Sequence, residues 1–230
     1  MKKLLIASTL ALSATLSPTT LGKEGGDTPI WKQADQPLEK RVESILKELT
    51  LTEKAELCYG RSWMEAGEVK RLGIPKIMLA DGPQGITRHT EPSALPVGIN
   101  LSCTWNPQSA YEYGRLLAEE MLGEKRHWIL GPGVNLMRTP LCGRNFEYFG
   151  EGPYLTGKTA VAYIQGVQSL DIAACIKHLA VNNQENHRYL SSSNVDERTL
   201  REMYLLPFEM AVKEGKTWSI MSAYNRVNGV

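Results

Sequence analysis

Short apolar runs that stop abruptly at charged or amide side chains recur along this chain, separated by stretches of helical periodicity. The clearest is AACIKHLAVNNQEN, ending at Asn186, where Ala-Ala-Cys-Ile gives way at once to Lys177 and His178 and then to Asn182, Asn183, Gln184, Glu185 and Asn186. Ile77–Ala80 stops at Asp81-Gly82-Pro83, Trp128–Leu130 runs into GPGVN, and Ser219–Ser222 runs into Ala223-Tyr224-Asn225. Helices lie between these runs. Asn106 followed by Pro107 supplies a cap and a first-position proline, opening a helix to about Leu122 that Gly123 ends. A second helix is expected from about Tyr154 to Gln168, and a third from about Asp196 to Glu214. Upstream, Leu38, Val42, Ile45, Leu46 and Leu49 share one helical face, and Thr50 with Glu53 has the spacing that opens another short helix.

Strands alternating with helices make an α/β fold. Polar groups at strand ends point to a (β/α)8 TIM-like barrel, with a doubly wound open sheet as the alternative. Alternate side chains along a strand face opposite sides. At a strand's end that alternation can break, so Lys177 and His178 could share one pocket; the other reading is a strand surfacing into solvent.

Several function classes are excluded. GPGVN is not a dinucleotide loop, because the third glycine position is Leu136. No P-loop is present, and the four histidines show no H-E-x-x-H spacing. No cofactor and no metal are therefore expected. The 26 basic and 25 acidic residues, net +1, give no electrostatic case for nucleic acid. Cys58, Cys103, Cys142 and Cys175 are far apart, which argues against a zinc site or a dense disulfide framework; Cys175, inside an apolar run, reads as a small buried hydrophobe.

Residues 1–22 read as a secretory signal peptide, with Lys2 and Lys3 before an apolar run from Leu4 to Leu16 that is too short to span a bilayer. Residues 23–37 read as a linker, and 38–230 as the folded domain. The expected localisation is export, periplasmic or secreted, with no membrane association after the leader is removed. The sequence is silent on oligomeric state.

Five blocks in order, ADGPQGITR (80–88), SCTWNP (102–107), LGPGVNLMRTPLCGRNFEYFGEGPYLTG (130–157), KHLAVNNQENHR (177–188) and MSAYNRVNG (221–229), resemble glycoside hydrolase family 3. The resemblance runs from about Leu38 to Val230. Within the family it is to the β-glucosidase and β-xylosidase branch, since the N-acetylglucosaminidase branch carries KHFPGHG where this chain has KHLAVNN.

The resemblance implies a substrate-binding set of Asp81, Arg88, Arg144, Lys177, His178, Met221 and Tyr224 around the terminal sugar of a β-linked oligosaccharide or glycoside. Asp81 would accept sugar hydroxyls, Arg144 would pair with a hydroxyl and neighbouring carboxylates, and Lys177 and His178 would hold the same sugar from the other side. Tyr224 would sit beside the nucleophile, with Met221 on the wall. Two positions depart from the pattern: the family's arginine usually stands one residue before Arg88, where Thr87 is found, and Gly152 replaces the aspartate of GEDPYLTG. Charged groups facing dense hydroxyls give strong hydrogen bonds and discriminate between epimers. On the residues alone other readings stand beside these: Asp81 as a turn aspartate, Arg144 in a structural pair with Glu147 or Glu151, Tyr224 as a core aromatic. His187 and Trp105 read as structural.

The implied activity is exo-acting, retaining hydrolysis of O-glycosyl bonds with release of terminal β-D-glucose or xylose. Retaining glycosidases need two carboxyls about 5 Å apart. The family's nucleophile lies in an SDW-type motif beyond the SAYN tyrosine, and its acid/base usually comes from a second domain. Neither motif occurs up to Val230, so no catalytic residue is assigned, the barrel is expected to be incomplete at its C-terminal end, and the chain alone is expected to be inactive. About 210 residues remain after the leader, against about 250 for a typical complete barrel. The alternatives are a non-catalytic sugar-binding protein and a non-functional truncated fragment.

Overall fold

The computed structural model describes residues 28–87 and 93–230. The expected leader, the first residues of the linker and Arg88 lie outside the described residues. The chain divides into two compact units at Thr50/Leu51. In the first, a 3-10 turn at Ile30–Lys32 precedes α1 (Leu38–Glu48), and Arg41 donates to the Trp31 carbonyl at 3.2 Å, tying turn to helix. The apolar stripe of α1 is where the periodicity puts it, yet Leu38, Val42 and Leu46 are all exposed.

The second unit opens with α2 (Leu51–Glu56), whose Glu53 takes a two-pronged bond from Arg71, and an antiparallel hairpin of β1 (Gly60–Ser62) and β2 (Glu65–Ala66). Then come β3 (Ile77–Asp81), α3 (Gly98–Ser102), α4 (Pro107–Gly123), β4 (Trp128–Leu130), α5 (Pro153–Gln168) and β5 (Ala173–Leu179). The last elements are β6 (Ser192–Ser193), α6 (Glu197–Thr199), α7 (Leu206–Lys213), β7 (Ser219–Ser222) and β8 (Arg226–Val227).

One sheet runs in the order β1-β2-β3-β4-β5-β7, and β3, β4, β5 and β7 are parallel neighbours. These four strands are the four apolar runs of the sequence. They lie side by side in chain order with no reversal, and the intervening helices pack in succession, α4 on α5 and α5 on α7. A doubly wound sheet needs a reversal of strand order. The fold is therefore α/β, the open part of a (β/α)8 TIM-like barrel. β6 and β8 form a separate parallel pair.

The α4–α5 contact organises the core. Asn106 caps α4, its Oδ1 accepting from the Gln108 amide at 3.0 Å, and Pro107 occupies the first turn, where its missing N–H costs nothing. Leu117, Ala118 and Met121 of α4 are fully buried with Tyr163, Ile164 and Val167 of α5 and with Ile129, Ala174 and Ile176 of the strands. Two glycines permit the close approach. A Cβ on Gly166 would lie 2.0 Å from the Tyr111 carbonyl oxygen, and one on Gly114 would lie 2.2 Å from that of Tyr163.

The long helix expected from Asp196 to Glu214 is interrupted. α6 begins under an Asp196 cap, its Oδ1 accepting from the Thr199 amide at 2.9 Å. A π-helical turn at Leu200–Tyr204 follows, closed by the Leu205 amide on the Leu200 carbonyl, and α7 restarts with Pro207 in its first turn. Proline offers no amide to the preceding turn and its ring crowds the carbonyl there, so the ladder widens by one residue. Gly152, the departure from the family's aspartate, is the N-cap of α5 and leaves that helix without a side-chain cap. All four cysteines are free; Cys142 and Cys175 are buried, Cys58 and Cys103 exposed. Among the described residues no helix is long and apolar enough to cross a membrane.

Candidate functional site

The C-terminal ends of the parallel strands open into a pocket of about 400 Å³, within the range of small-molecule sites. Asp81 reaches it from the end of β3, Lys177 and His178 from β5, Met221 from β7, Tyr224 from the loop after β7, and Arg144 from the loop after β4. Six of the seven residues singled out in the sequence thus line one cavity; Arg88 lies outside the described residues. The alternation of β5 breaks where the pocket begins: its register against β7 shifts between Lys177 and Leu179. A shift of this kind re-aims a side chain, and two sequence neighbours come to line the same space.

A carboxylate that the sequence reading left unassigned sits at the centre of the charge. Glu147, in a 3-10 turn at Asn145–Glu147, has a side chain only 5% exposed. Its Oε1 accepts from Arg144 Nε, and its Oε2 lies 3.5 Å from Lys177 Nζ. Lys177, equally buried, also lies 3.8 Å from Asp81 Oδ1, and Asp81 is the open member with its side chain 36% exposed. Two cations and two carboxylates form a chain, Arg144–Glu147–Lys177–Asp81. A buried charge persists only with such partners. The pairing of Arg144 with Glu147 weighed from the sequence is present, and Arg144 faces the pocket as well.

His178 is held as a neutral ring. The Asn135 amide brackets its backbone, Oδ1 accepting from the His178 N–H at 2.9 Å and Nδ2 donating to the His178 carbonyl at 2.9 Å. That fixes Oδ1 toward the imidazole, 3.1 Å from Nδ1. Nδ1 therefore carries the proton and donates, which leaves Nε2 with an acceptor lone pair. Burial, and after it the charges of Arg144, Lys177 and Arg188, push the imidazole pKa down to about 2. The arrangement offers hydroxyl-rich ligands an acceptor carboxylate, cationic donors and a neutral nitrogen acceptor in one place.

Asn135, Arg188 and Trp63 also belong to this region and were not singled out. Asn135 could have been found as the polar end of GPGVN, and Arg188 as the close of KHLAVNNQENHR. Trp63 comes from the β1–β2 hairpin, 74% exposed at the rim, and no local pattern marks it. Of the two residues read as structural, neither is buried: Trp105 is 78% exposed and His187 is exposed. Among the described residues no three His, Cys, Asp or Glu side chains converge as a metal ion would require.

Comparison with known proteins places this geometry. The sequence profile described as "Glycosyl hydrolase family 3 N terminal domain" matches residues 39–230. Thermostable beta-glucosidase B of Acetivibrio thermocellus is 44% identical over 200 residues, covering 82% of this chain and 26% of that protein. Beta-glucosidase BoGH3A of Bacteroides ovatus is 40% identical over 231 residues, covering 95% and 31%. The structure of beta-glucosidase 3B from Thermotoga neapolitana in complex with alpha-D-glucose superposes with a TM-score of 0.78 at 43% identity, covering 82% of this chain and 30% of that one. The chain thus spans about a quarter to a third of the length of the curated relatives it matches.

Proposed function

The chain belongs to glycosyl hydrolase family 3, and from that premise we propose that its strand-end pocket holds the terminal sugar of a β-linked glycoside. The whole protein's activity on this reading is exo-acting, retaining hydrolysis with release of β-D-glucose or xylose. The observation that carries the reading is the half-open ion chain, in which Asp81 faces a cavity of about 400 Å³ while buried Lys177 and Glu147 stand behind it. Asp81 accepts two sugar hydroxyls, Lys177 and Arg144 donate, and His178 Nε2 accepts. Bonds of this charge-assisted kind are the strong ones, and an epimer would leave some of them unmade.

Asp81 acts as the binding carboxylate and Glu147 as its buried support, and the two are not the catalytic pair. Glu147 has both oxygens committed to cations, and Asp81 balances Lys177. A retaining mechanism asks one carboxylate to attack and a second carboxyl to give its proton. Export, read from Lys2, Lys3 and the apolar run to Leu16, is part of the same proposal and is tested by N-terminal sequencing of the mature protein.

The test is titration of glucose and of xylose into the purified chain, followed by calorimetry and NMR, with Asp81→Asn and Lys177→Ala as variants. Saturable binding lost in both variants supports the reading. Binding that survives both, or no binding of either sugar by folded chain, overturns it.

A further inference from the structure

At the rim of the pocket, Tyr224 stands 56% exposed on the loop after β7. An aromatic ring that exposed keeps one orientation only if something other than the core holds it. The Arg188 guanidinium lies 4.9 Å from the Tyr224 ring centroid and 5.3 Å from that of Tyr189, and the two rings sit 4.6 Å apart at 44°. We propose that Arg188 is a positioning residue: it clamps Tyr224 as a fixed wall of the pocket, through a relay that starts in the buried core.

The relay can be followed atom by atom. Asn182, 2% exposed, donates from Nδ2 to Glu185 Oε1 at 3.1 Å, and its carbonyl accepts from the buried Tyr148 hydroxyl at 3.4 Å. Glu185 Oε2 holds Arg188 Nη1 at 2.5 Å. Arg188 Nη2 lies 3.4 Å from the Tyr189 hydroxyl, a second tether that holds the guanidinium beside the two rings. A planar, delocalised, weakly hydrated cation suits an aromatic face, and lysine, a compact and strongly hydrated charge, does not replace it there. Arg188 also lines the pocket beside Lys177 and Arg144.

The inference rests on the sugar-site reading only for the second of its two readouts. The first is 19F NMR of the full chain carrying 3-fluorotyrosine, with the Tyr224 line assigned by its loss in Tyr224→Phe. In Arg188→Gln and in Arg188→Lys the Tyr224 line is expected to move toward free fluorotyrosine, the lysine variant included because it keeps the charge and loses the flat fork. A Tyr224 line unmoved in both variants overturns the proposal, whether or not any sugar binds. The second readout is a double-substitution cycle on glucose affinity. Arg188→Gln and Tyr224→Leu are each expected to weaken binding about two- to fivefold, with the double variant no weaker than the worse single one. Factors that multiply would show the two residues acting independently and would also overturn it. Failure of the unsubstituted chain to bind glucose would count against the sugar-site reading alone and leave the 19F result to decide the clamp.

Discussion

Replacing Glu147 by glutamine tests whether one buried carboxylate holds the site together. Its two oxygens serve two cations, Arg144 Nε and, at 3.5 Å, Lys177 Nζ. Glutamine offers a single carbonyl oxygen, so whichever cation it meets, its NH2 faces the other. Removing one partner of a buried ion pair costs about 3–5 kcal/mol, mostly the penalty of the charge left behind. Asp81 remains 3.8 Å from Lys177 with its side chain 36% exposed, which spreads the excess charge and admits water, so the lower end applies, about 3 kcal/mol. At about 2–4 °C per kcal/mol for a chain of this size, the melting midpoint should fall by roughly 6–12 °C. The assay is thermal unfolding by circular dichroism at neutral pH, with Glu147→Gln/Lys177→Met as the companion variant. The companion removes the orphaned charge and should recover at least half of the loss. A Glu147→Gln midpoint within about 2 °C of the parent, against the several degrees expected, would refute the view that Glu147 is the structural anchor of the cluster.

Two further outcomes are expected. His178 has a folded pKa of about 2 against an ordinary 6.5, so between those values the unfolded chain binds the extra proton. Its contribution to stability is complete above pH 6.5 and is lost as pH falls, by about 2–3 kcal/mol on going to pH 4.5; denaturant melts across that range should show the decline, and His178→Gln should flatten it. Gly166→Ala would place a Cβ 2.0 Å from the Tyr111 carbonyl oxygen and force α4 away from α5. The expected cost is about 3 kcal/mol or more, and a melting midpoint unchanged in that variant would show that the two helices can separate freely.

The four parallel strands were legible because each is a short run with an apolar centre, bounded by polar or turn residues, although only β5 is buried along most of its length. Ile77–Asp81, Trp128–Leu130, Ala173–Leu179 and Ser219–Ser222 all appear where those runs stand. The Asn106 cap and Pro107 that start α4, and Pro153 at the start of α5, are equally local, and so were the polar residues at the strand ends. What the sequence determined by itself was therefore the alternation of strand and helix and the side chains presented at one end of the sheet. The tertiary structure alone decided the rest. It decided the barrel-like order of the strands over a doubly wound one, because that order depends on which edges pair. It made Glu147 the hub, because its two cations come from different elements and lie 3 and 30 positions away along the chain. It brought Trp63 to the rim from a hairpin too short and too exposed to leave a pattern, and it set Arg188 over Tyr224, 36 residues further on. Periodicity reports the face a residue turns within its own element; convergence of distant elements on one cavity is a property of packing, and no local run of residues encodes it.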